Sequence, residues 1–142
     1  MPTLKVKLSD GAEMPTYAHD GDACFDIKSL EDGIIPAKGS KTFHTGLSFD
    51  VPPNYKIDVF SRSSQGFKHG IRLANCTGKI DQGYKGELMI KLANDSDVDY
   101  SVFAGDKIAQ AELMPIYKAI FEEVGELSGS DRGTGGIGST GR

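Results

Sequence analysis

Gly78-Lys79-Ile80-Asp81-Gln82-Gly83-Tyr84-Lys85-Gly86 places three glycines within nine residues, with a carboxylate, a phenol and two lysines between them. Glycines at this density mark turns that side-chain-bearing residues make only at a cost. Ile71-Arg72-Leu73-Ala74 leads in, and Glu87-Leu88-Met89-Ile90-Lys91-Leu92 leads out with Leu88, Ile90 and Leu92 on one face at a period of two. The pattern predicts the bent tip of a β-hairpin that displays Asp81 near its end, in a loop shaped to hold a ligand.

Outward from that loop the same period recurs. Leu4, Val6 and Leu8 alternate with Lys5 and Lys7, and Lys41 to Phe49, Tyr55 to Phe60, Val98 to Val102 and Lys107 to Met114 read as further strands. Ala23 to Ile27 and Ile34-Ile35 add two short ones, and Ser9-Asp10-Gly11, Asp20-Gly21-Asp22, Pro52-Pro53-Asn54 and Gly105-Asp106 supply the turns between. Only Ser61 to Gly70, polar and bounded by glycine, predicts a short helical turn. No segment sustains a period of 3.6. The expected fold is therefore all-β: one jelly-roll-like barrel or sandwich with at most one short helix.

A length of 142 residues fits one domain, and 18 glycines with 38% apolar residues suit many turns and short strands. A net charge of −4 without a basic stripe argues against nucleic acid as a partner. Cys24 and Cys76 make no disulfide framework, and nothing has the length of a signal peptide or a membrane span. The expectation is a soluble protein of the cytoplasm, or of the host cytoplasm if viral, with no membrane partner.

Residues 1–125 form the expected core, and Glu126 to Arg142 differ in kind. Six of those 17 residues are glycine, three serine and two threonine, a composition that packs no core of its own and predicts a flexible arm. Gly133-Thr134-Gly135-Gly136-Ile137-Gly138-Ser139-Thr140 satisfies G-x-G-x-x-G and nearly a P-loop, yet both motifs need a helix after the glycines, and only Gly141 and Arg142 follow. Its consecutive amides and hydroxyls can still wrap an oxyanion, with Arg132 adding a bidentate contact, although by composition alone an unordered tail is the plainer reading. Arg62-Ser63-Ser64 is a second anion-site candidate or an ordinary N-cap. Asp26, inside an apolar run, reads by residue type as a turn or capping carboxylate, and Gln110 as a surface glutamine. His19, His44, His69 and the cysteines show no metal-ligand spacing, and no G-x-S-x-G is present.

Taken together and in order, these pieces resemble the homotrimeric dUTPases, the all-β dUTP pyrophosphatases, from about Thr16 to Arg142. Five motifs carry the resemblance: Asp22 to Ile27, Arg62 to Gly70, Asn75 to Gly86, Gly105 to Gln110 and Asp131 to Gly141. It implies that Asp81 is the general base, Tyr84 packs on the deoxyribose, and the turn Asn75, Gly78, Ile80 reads uracil beneath Ile137. It further implies that Arg62, Ser63, Ser64, Gln110, Arg132, Gly138, Ser139 and Thr140 hold the phosphates, and that Asp26 supports Mg²⁺ through water. The implied reaction is hydrolysis of dUTP to dUMP and pyrophosphate, which limits uracil in DNA and supplies dUMP for thymidylate synthesis. The implied assembly is a homotrimer with shared active sites, over which the arm closes.

Three positions depart from the family pattern. Gly83 stands where a second Asp is usual, Ser64 where a Gly is usual, and Ile137 where an aromatic stacks over uracil, which should weaken capping of the base. The first two resemble the related dCTP deaminases, but Lys91 occupies the place of their catalytic glutamate, and a lysine cannot shuttle protons as that glutamate does. A catalytically silent trimeric nucleotide-binding domain is the remaining alternative, although such a domain would be expected to lack Asp81 or the arm.

Overall fold

The computed structural model describes all 142 residues. Its strands lie in three antiparallel sheets. One sheet has the order β1 (Lys5–Leu8), β4 (Ser40–Asp50), β8 (Glu87–Asn94), β6 (Ile71–Leu73). A second runs β2 (Phe25–Lys28), β10 (Lys107–Pro115), β5 (Tyr55–Phe60), β7 (Gly78–Ile80), and β3 (Gly33–Ile35) pairs with β9 (Tyr100–Val102). The all-β expectation holds in its sandwich form: the sheets are open, with β1 and β6 ending one and β2 and β7 the other, and no barrel closes.

The inward positions follow from the alternation. Leu88, Ile90 and Leu92 of β8, with Phe43, Leu47 and Phe49 of β4, face Ile57 and Val59 of β5, Phe25 and Ile27 of β2 and Ala109 and Ala111 of β10, in one continuous core of 19 buried apolar residues. Residues on the two inner faces bury together as in other sandwiches. Asn94 is the large polar side chain sunk at the core's margin, 1% exposed. Its amide donates to the carbonyls of Ile35 (3.0 Å) and Val98 (2.8 Å), and its oxygen accepts from the Ser96 amide (3.0 Å) and hydroxyl (2.7 Å). Every hydrogen-bonding atom of that side chain is used, and no buried side-chain polar atom of the protein lacks a partner.

Two expectations need correction, and one is met. The glycine-rich loop is not a hairpin tip: β7 pairs with β5, whereas β8 pairs with β4 and β6, so residues 81–86 cross from one sheet to the other. The strand before the loop, β6, does lie beside β8, and residues 74–77 make the opposite crossing. The short helical segment expected within Ser61 to Gly70 is present as α1 (Ser63–His69), stopped by Gly70 at φ 67°. Asp26 is no turn residue, since it sits within β2, opposite Gln110 of β10.

Candidate functional site

The two crossings wall a cavity of about 290 Å³ whose lining includes Asn75, Gly78, Ile80 and Tyr84, four residues expected to meet one nucleoside. Asn75 lies in the tight turn that leaves β6, where the Thr77 amide donates to the Asn75 carbonyl at 2.7 Å and Cys76 takes φ 63°. Gly78 and Ile80 are the ends of β7, with Ile80 buried and Gly78 packed so close to Val59 that a Cβ would meet it at 3.2 Å. Tyr84 folds back over the loop: its hydroxyl donates to the Glu87 carbonyl at 2.8 Å, and a Cβ on Gly86 would come within 2.6 Å of that hydroxyl. Gly86 is glycine because the ring occupies the space of a side chain there.

Asp81 opens the loop, directly after Ile80, with its carboxylate in solvent. The Tyr84 amide donates to the Asp81 carbonyl at 3.1 Å, which closes a turn and ties the carboxylate's position to the ring. Lys79, two residues earlier on the same strand face, bonds Asp58 at 2.9 Å, and its ammonium is held above the usual lysine range chiefly by the Asp58 hydrogen bond, with the Asp81 charge adding to it.

A second group gathers where α1 meets β10 and β2. Arg62, extended at φ −89° and ψ 131°, donates from Nη1 to the Lys107 carbonyl (3.2 Å) and stands 4.0 Å from the Asp26 carboxylate. Gln110 donates to the Ser61 carbonyl at 3.1 Å. Ser63 and Ser64 present exposed hydroxyls in the first turn of α1. Asp26, Arg62, Ser63, Ser64 and Gln110 therefore sit on neighbouring elements, a cation, an amide and two hydroxyls suited to phosphate oxygens.

Sequence reasoning passed over three residues that build this group. The Lys107 ammonium lies 2.6 Å from Asp26, with the ladder register shifting between Lys107 and Ala109. Gln65, buried in α1, donates to the Lys107 carbonyl at 3.1 Å and fixes the helix to β10. The Ser61 hydroxyl accepts the Leu73 amide at 2.9 Å, linking this group to β6 and to the cavity that Leu73 lines. Lys107 lay inside the Gly105 to Gln110 motif and Ser61 and Gln65 beside Arg62, so proximity in sequence was the available signal.

The donors fit a divalent cation only as a companion of a polyphosphate. No cluster of three or more His, Cys, Asp or Glu side chains could hold a metal ion, and the one carboxylate of the phosphate group already faces two cations. A Mg²⁺ that keeps several waters and takes its other ligands from phosphates needs no more than that.

The remaining expected residues stand apart. The last backbone bond from the C-terminal segment to the core runs from the Ile116 amide to the Asn54 carbonyl, 2.9 Å, and residues 117–142 are exposed. Arg132 donates to the carbonyls of Gly135 and Gly136, and Ile137, Gly138, Ser139 and Thr140 form local turns touching neither group. The cavity between the crossings is likewise lined by none of Asp26, Arg62, Ser63, Ser64 or Gln110. A single chain carries the expected residues in three separate sets.

A family model described as dUTPase matches residues 10–141. The chain belongs to the dUTPase family. It is 45% identical over 142 residues to a deoxyuridine 5'-triphosphate nucleotidohydrolase of Clostridium acetobutylicum, covering 99% of this chain and 98% of that one, and equally identical to that of Clostridioides difficile, covering 99% of each. Among solved structures it resembles the dUTPase of Staphylococcus bacteriophage 80alpha with dUpNHpp, at a TM-score of 0.91 and 31% identity over the whole of both chains. A dUTPase variant from phage phi11 of S. aureus, described as coordinating a structural Mg(II) ion, is similar at a TM-score of 0.80 and 28% identity, covering 88% of this chain and 98% of that one.

Proposed function

We propose that the chain is a dUTP diphosphatase, releasing dUMP and pyrophosphate by water attack on the α-phosphorus, with Asp81 as general base. The observation that carries this reading, within a dUTPase-family chain, is the cavity lined by Asn75, Gly78, Ile80 and Tyr84 with Asp81 at the start of the loop that walls it. The Asp81 carboxylate orients a water and takes its proton as the water oxygen bonds to the α-phosphorus; the bond from phosphorus to the bridging oxygen breaks, and pyrophosphate leaves. Positioning and charge neutralisation supply most of the rate in such transfers, so an ordinary carboxylate suffices.

Arg62, Ser63, Ser64 and Gln110 would meet the phosphates, and Arg132, Gly138, Ser139 and Thr140 would close on the terminal one as residues 126–142 fold over the site. Mg²⁺ bound with the triphosphate, and reached from Asp26 through water, would offset charge on the departing pyrophosphate. Because the three sets of residues are separate within one chain, we assign them to one site through assembly: a homotrimer in which each site draws on several copies. Tyr84 against the sugar leaves no room for a 2'-hydroxyl, and the backbone of residues 75–80 matches the uracil edge while leaving the amino group of cytosine unpaired. Ile137 caps the base less well than an aromatic would.

The test is a panel of deoxynucleoside and ribonucleoside triphosphates with Mg²⁺ and product identification. Pyrophosphate from dUTP alone is expected; ammonia from dCTP would replace this reading with deamination, and no turnover of either would leave a binding module. A fully active monomer would remove the shared site.

A further inference from the structure

The loop that carries Asp81 and Tyr84 ends at Glu87, and Glu87 is held by more than its place in β8. Its Oε1 accepts the Gly46 amide at 3.0 Å, and its Oε2 lies 2.8 Å from His44 Nδ1. Gly46 sits at φ +71° in an irregularity of β4, where the register against β8 shifts between His44 and Ser48. The distortion frees the Gly46 amide from the ladder, and the Glu87 carboxylate takes the place of the missing strand partner. A side chain at Gly46 would strike Ser9 and Ala12, at 2.5 Å and 2.7 Å from its Cβ, so the bulge is fixed from behind.

On the other side of Glu87 stands the nucleoside cavity. Glu87 lines it, its carbonyl accepts the Tyr84 hydroxyl, and His44 pairs across the strands with Met89, another lining residue. The carboxylate thus joins the bulge of β4 to the residue on which the Tyr84 ring rests. The charged groups facing His44 are Glu87 and Glu31, whose carboxylate accepts the His44 amide at 3.1 Å.

We propose that Glu87, clamped by the Gly46 amide and the His44 imidazole, is a positioning residue for Tyr84, and that loss of the His44 proton loosens its hold on the nucleoside. The inference rests on the reading of Tyr84 as the support of the sugar. The Glu87 hydrogen bond, and then its charge, raise the His44 pKa above the ordinary imidazole range. The charged pair is therefore present at low pH and lost as pH rises through the folded-state value.

Steady-state kinetics with dUTP from pH 5.5 to 8.5 on the wild type, His44→Gln, Glu87→Gln and Tyr84→Ala tests this. His44→Gln is expected to raise KM about three-fold at low pH with kcat nearly unchanged, and the KM ratio to wild type should fall to one at high pH. Titration of the substrate's own phosphates cancels in that ratio. Glu87→Gln should raise KM across the range, and adding His44→Gln to it should change nothing further. Thermal midpoints recorded for each variant separate loosened folding from altered binding. A KM ratio flat with pH, or a loss confined to kcat, overturns the proposal if Tyr84→Ala raises KM; if Tyr84→Ala leaves KM unmoved, the sugar-support reading fails instead.

Discussion

Asp81 is held by main chain rather than by side-chain partners: the turn to the Tyr84 amide sets its direction, and its side chain stands in solvent. Asp81→Asn preserves that turn and the shape of the cavity, so dUTP binding should persist while turnover falls on the order of 10²- to 10⁴-fold. Rapid-quench measurement alongside a binding isotherm checks the two separately, and wild-type-like turnover would remove Asp81 from its role. Asp58 offers a residue-scale prediction of stability. Its side chain is only 9% exposed between Lys56 and Lys79, each 2.9 Å away. Burial pushes the carboxyl upward, but the hydrogen bonds from Lys79 and Lys56 outweigh it and hold the pKa below the ordinary value. A depressed pKa contributes stability above the unfolded-state value that disappears as pH falls through the folded one. Asp58→Asn should therefore cost about 1 kcal/mol at neutral pH and flatten the decline in stability below pH 4, read from urea unfolding at several pH values.

At the scale of elements, alternation made the long strands legible. The inner faces of β4, β5 and β8, and of β10 beyond its irregularity at Ile108, carry apolar side chains at every second position, and that signal is local. Pairing is not local. Ile80 and Leu88 flank a glycine-rich loop as hairpin strands do, yet Ile80 lies opposite Ile57, and Leu88 belongs to a strand paired with β4. Nothing within the loop distinguishes a turn that returns beside itself from one that changes sheets. For the same reason Lys107 was invisible as a partner of Asp26: a register shift in β10 and the neighbouring β2 bring them together. Asn94 shows what such long-range closure is worth. Asn94→Ala removes a donor from the Ile35 and Val98 carbonyls and the acceptor of the Ser96 amide, and should destabilise by about 1–3 kcal/mol, lowering the thermal midpoint by several degrees.

For the molecule as a whole, the sandwich is self-sufficient and the site is not. The core closes within residues up to Ile116, while Arg132, Gly138, Ser139 and Thr140 of the glycine-rich arm make no bond to it. A chain ending at Ser130 should keep the thermal midpoint of the full protein and lose nearly all dUTP hydrolysis; full activity would show that the arm takes no part. The arm was readable as a separate segment because composition alone forbids it a core. Its closure over a ligand is a proposal that rests on the order of five motifs, since one chain does not bring the motifs together.

The passage of residues 81–86 between sheets has a consequence for mutational tolerance. In a hairpin, one inserted residue shifts the register and turns every following side chain to the wrong face. Here β7 and β8 answer to different neighbours, so an extra residue between Gln82 and Gly83 leaves both ladders intact. Such an insertion should leave folding unchanged, by circular dichroism and thermal midpoint, while abolishing turnover by parting the Asp81 carboxylate from the Tyr84 ring. Loop length is thus free for the fold and fixed for the chemistry.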